Sequence, residues 1–63
     1  MENAIKDRRI REALKEADSF GKLGVVAEVS GIAGGVNLLR EIMNSEDNLS
    51  IIDRVVLETY LLD

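Results

Sequence analysis

The chain has 63 residues, a formal charge of −4, 46% apolar and 32% charged residues, and no Cys, His, Trp or Pro. That length allows one small domain with a narrow core, and the composition is that of a folded domain rather than a disordered tail. Disulfides and the usual zinc ligand sets are excluded, so apolar packing, helped by self-association, must carry stability.

Residues 2–17 lack Gly and are rich in Ala, Glu, Lys, Arg and Leu, which predicts a first helix. Ile10, Ala13, Leu14 and Ala17 recur at i, i+3, i+4, i+7 and form its inner stripe. It should end at Asp18–Gly21. A shorter helix over Lys22–Val29 follows, with Leu23, Val26 and Ala27 inward, and Ser30-Gly31 breaks it. The pair Gly34-Gly35 belongs either to the next turn or to a weakened first turn of the third helix, expected at Val36–Asn44. There Val36, Leu39 and Met43 share a stripe, with Leu38 and Ile42 beside it. After the polar turn Ser45-Glu46-Asp47-Asn48, Ser50 is the expected N-cap of a fourth helix, Ile51–Leu62, with Asp53 at the reciprocal capping-box position. That last helix is apolar nearly all round. A narrow core can use about half of those positions, and the rest mark an interface. The expected architecture is therefore all-α, one domain over residues 1–63, a compact bundle of four to five short helices.

Charge is unevenly divided. Residues 1–22 carry six bases against five acids, and residues 23–63 carry two bases against seven acids. A protein that coats nucleic acid is usually basic overall, so any such contact here must be local. No secretory signal is visible behind Met1, and the weakly charged stretch Leu23–Asn37, interrupted by Glu28, is too short for a membrane span. The expected location is the cytoplasm, or a virus-infected cytoplasm, with no membrane partner.

Catalysis lacks its parts. There is no His for acid–base work and no Cys nucleophile, and the hydroxyls have no activating base nearby in sequence. Gly31-Ile32-Ala33-Gly34-Gly35 matches no phosphate-binding loop, and Asn44–Asn48 lacks the spacing and glycine of a calcium loop. The chain is therefore not expected to be an enzyme or to hold a metal or cofactor.

What stands out is the stretch from Leu23 to Asn44. Ala27 lies inside a short helix, Gly31 follows four residues later, then come apolar Ile32, a tight turn and another helix. A small residue there permits close helix crossing and the glycine permits the turn, so residues 22–44 read as a helix-turn-helix. Together with Leu38-Leu39-Arg40-Glu41-Ile42, the turn Ser45–Asn48 and Leu49-Ser50 opening an apolar helix, this passage resembles the phage-repressor-like helix-turn-helix family. It looks especially like the short regulators that serve as the antidote half of addiction modules. Over roughly residues 10–62 the resemblance implies a compact helical bundle, sequence-specific binding of operator-type double-stranded DNA, and a homodimer. The position six after the turn glycine, usually apolar in that family, is Asn37, between Val36 and Leu38.

On that reading Asn37 and Arg40 are the candidate base contacts, to adenine and to guanine. The basic residues Lys6, Arg8, Arg9 and Arg11 offer phosphate contacts, with Arg8, Arg9 and Lys22 the chosen backbone candidates. Residues 50–62 form the candidate dimerisation helix, through Ile52, Val56 and Tyr60. The alternative is a helical module that keeps the bundle but binds a protein partner through its acidic half or its last helix, with Asn37 and Arg40 merely solvent-facing.

Overall fold

The computed structural model describes residues 2–62, which form four helices: α1 (Glu2–Ser19), α2 (Leu23–Ser30), α3 (Gly35–Asn44) and α4 (Ile51–Leu61). No strand occurs among these residues. α1 packs against each of the other three, and α2 also touches α3 and α4. The Cα radius of gyration is 10.3 Å, against about 10.6 Å for a well-packed globule of this length.

On α1 and α2 the large residues of the expected stripes form the core, while Ala13, Ala17 and Val26 are half-buried. Ile10 and Leu14 are fully buried, and Leu23 and Ala27 nearly so, with Ile32 of the α2–α3 turn beneath them. Burying each large aliphatic side chain contributes about 1.5–3 kcal/mol, so nine buried apolar residues make a small core. On α3 the inner line differs from the expected Val36–Leu39–Met43 stripe. Leu39 and Ile42 are buried, while Val36, Leu38 and Met43 are only half-buried. Arg11 of α1 donates from Nε to the Ile42 carbonyl at 2.9 Å, tying α1 to this end of α3.

α2 and α3 meet at an angle of 117° across the turn of residues 31–34. Gly31 ends α2 in the left-handed region (φ 67°), and its N–H closes on the Ala27 carbonyl. Gly34, at φ 95°, starts α3, and a Cβ there would sit 2.8 Å from the Leu38 Cβ. The glycine pair thus belongs to the corner, with Gly35 opening the helix.

α4 is seated by a buried polar network. Ser50 Oγ accepts the Asp53 N–H at 3.2 Å, as its N-cap position predicts. Asp7 of α1, 1% exposed, accepts from Arg54 Nε at 2.8 Å and Nη2 at 3.2 Å and from the Leu49 N–H at 3.2 Å. Arg54 Nη2 also donates to the Leu49 carbonyl at 3.0 Å. Leu57 is the one fully buried residue of α4 among those described, with Val56, Leu61 and Leu62 packed partly against the core. Among the described residues no single helix is long and apolar enough to cross a membrane.

Candidate nucleic-acid interface

The corner between α2 and α3 decides which side chains face out. With Leu39 and Ile42 turned inward, Asn37, Arg40, Glu41 and Asn44 form the outer face of α3, and all four are exposed. The two candidate base contacts, Asn37 and Arg40, are one turn apart and line one open cleft of about 460 Å³. Its other wall is the α3–α4 loop, with Asp47 and Asn48. The cleft therefore mixes amide and guanidinium donors with two carboxylates, which suits hydrogen-bonded readout better than plain attraction of anions.

The basic residues of α1 separate into distinct roles. Arg11 is not a free cation: its guanidinium donates to the carbonyls of Ile42 and Asp47, tying α1 to the end of α3 and to the following loop. Lys6 pairs with Glu58 of α4 at 3.2 Å, a half-exposed contact worth little. Arg8 and Arg9 are both exposed, but only Arg8 joins Lys15 and Arg11 along a second groove, of about 530 Å³, between α1 and the end of α3. Lys22 is exposed at the N-cap of α2, and like Arg9 it borders neither cleft.

Of the interface candidates, Ile52 is 75% and Tyr60 51% exposed. Val56 is half-buried against the chain's own core and offers less free surface. Ile51 and Val55, at 76% and 56% exposed, complete the apolar outer face of α4. Phe20, in the turn before α2, and Val25 and Val29, four apart on α2, are also exposed, at 70%, 57% and 55%.

The electrostatic centre of the molecule lies behind these surfaces. The Arg54 guanidinium hydrogen-bonded to Asp7 holds its carboxyl below the usual aspartate range. Burial opposes that shift, and the Leu49 N–H and the charges of Arg54 and Arg11 reinforce it. Asp7, Arg54 and Arg11 were legible only as charges in the sequence. Their pairing joins residues 47 positions apart, a separation that local spacing cannot signal. Among the described residues no cluster of three or more acidic side chains is placed to hold a metal ion. Comparison with protein-family models, curated proteins and solved structures gives no match to this chain.

Proposed function

We propose that this protein is a small sequence-specific DNA-binding transcriptional regulator of phage-repressor-like type, acting as a homodimer in the cytoplasm without catalysis. The observation that carries the reading is the 117° corner of α2 and α3, capped by Gly31, which leaves Asn37 and Arg40 exposed on the outer face of α3. That angle lies within the range at which a helix-turn-helix presents its second helix to the major groove. Asn37 then reads adenine and Arg40 guanine, and Glu41 beside them rejects phosphate and favours cytosine. With so few free cations in each subunit, tight binding uses two subunits on half-sites about one helical turn apart.

A second reading rests on Phe20, Val25 and Val29, large apolar side chains left exposed on α2 and the turn before it. A helix that only supports a reading helix against DNA has no need of them, whereas a protein-interaction module does. Titration of the protein against duplex DNA from immediately upstream of its gene, and against a shuffled duplex, from about 50 to 300 mM salt separates the two. Preferential binding that weakens steeply with salt is expected. Replacing Arg40 with Ala then weakens specific binding by about 1–3 kcal/mol and relaxes the choice of base at one position. Absence of duplex binding by the folded protein would falsify the regulator reading in favour of a protein partner.

A further inference from the structure

Resting on the DNA-binding reading, we propose that the groove between α1 and the end of α3 is the track for the phosphate backbone of the duplex, with Arg8 and Lys15 as its contacts. Lys15 has no role in the reading above, and Arg9, the sequence neighbour of Arg8, is excluded from this one.

The helix geometry makes the selection. Seven residues, nearly two turns, separate Arg8 from Lys15, so both project from one flank of α1 about 10 Å apart along its axis. Arg9 is turned about 100° from Arg8 and lies off the groove that Arg8 and Lys15 line. Between the two, Arg11 is held inward by the carbonyls of Ile42 and Asp47 and lends the groove a fixed positive charge. Among the described residues neither Arg8 nor Lys15 takes part in an ion pair, so both charges are available. The opposite wall includes Asn44, which also lines the cleft containing Asn37 and Arg40. Base-reading face and basic groove are thus continuous across the end of α3, the arrangement needed for one strand's phosphates to run beside a helix lying in the groove.

Two acids, Glu12 and Glu46, line the same groove. They keep its attraction modest and provide a test with opposite signs. Phosphates seated there are repelled by Glu12, so Glu12→Gln strengthens binding while Arg8→Gln and Lys15→Gln weaken it. All three side chains are exposed on α1, so the variants keep the wild-type far-UV circular dichroism.

The test is the salt dependence of affinity for the upstream and the shuffled duplex, measured on the full chain. Arg8→Gln and Lys15→Gln are each expected to flatten the slope of log affinity against log salt by about one. They do so equally for both duplexes, since a phosphate contact carries no sequence information. Glu12→Gln tightens both complexes several-fold, and Arg9→Gln, lying off the groove, flattens the slope clearly less than Arg8→Gln or Lys15→Gln. If the upstream duplex is preferred but Arg8→Gln and Lys15→Gln match wild type, or Arg9→Gln is equally damaging, the groove assignment is overturned and the regulator reading stands. If the groove variants act but wild type does not distinguish the duplexes, the groove assignment stands and sequence-specific recognition fails. No duplex binding by wild type overturns both.

Discussion

Asp7 shows what a single side chain does in a core this small. It satisfies the Leu49 N–H and both near nitrogens of Arg54, and none of its neighbours leaves a buried polar side-chain atom without a partner among the described residues. Replacing it with Asn keeps the shape but removes the charge that Arg54 needs. Asp7→Asn should lower stability by about 3 kcal/mol, at the mild end for a buried pair because Arg54 retains the Leu49 carbonyl. Chemical denaturation followed by circular dichroism measures this, and an unchanged midpoint would show the pair to be dispensable. The pH dependence has a fixed sign. Because the folded carboxyl binds its proton less readily than the unfolded one, its contribution is complete above the usual aspartate range near pH 4 and is lost as pH falls through the lowered value. Asp7→Asn should therefore flatten the acid limb of the stability profile. None of this is legible in the sequence, where Asp7 is one acid among twelve. Periodicity locates apolar faces, but a charge joins a core only when a distant partner arrives.

At the scale of elements the sequence is far more informative, since helix boundaries and inner stripes depend on local spacing. All four helices lie where Gly, Ser and the apolar periods put them, with ends shifted by one or two residues. On α3 the most buried pair is Leu39 and Ile42, because the facing of that helix depends on packing against the core formed with α1 and α2, which local spacing does not specify. The corner glycines differ in a way composition does not reveal. Gly31 has open space where an added methyl would sit and an ordinary left-handed conformation, so Gly31→Ala costs about 1 kcal/mol. At Gly34 the same methyl would meet the Leu38 Cβ in addition to a less favourable positive φ, and Gly34→Ala should cost about 2–3 kcal/mol. For a domain of this size each kcal/mol lowers the melting temperature by about 4–8 °C, so thermal unfolding ranks the two readily. Equal losses would mean that the corner relaxes around Leu38.

Across the described residues, nine buried apolar residues are set against eight large hydrophobic ones left exposed. The apolar character of α4 was legible; which of its residues would be spare was not, because that depends on how α1 and α2 embrace Leu57. Outward on α4 stand Ile51, Ile52, Val55 and Tyr60, with no charge among them. Such a face can meet its own copy across a two-fold axis without like-charge repulsion. Four exposed apolar side chains a side are few against the roughly 1,200–2,000 Å² that stable specific interfaces bury. The dimer should therefore be weak, and apparent stability should rise with protein concentration. Ile52→Glu places a charge on the symmetry-related face twice over and should yield a folded monomer, seen by sedimentation equilibrium with helical content retained. Val56 is the wrong position for this test, since it packs partly against its own core and its replacement would lower stability as well as association. On the proposed DNA-binding reading, the monomeric variant should also lose affinity for paired half-sites while keeping weak binding to one, which would link the outer face of α4 to the candidate base contacts on α3. Wild-type protein that sediments as a monomer even when concentrated would sink the homodimer proposal and leave α4 free for a different partner.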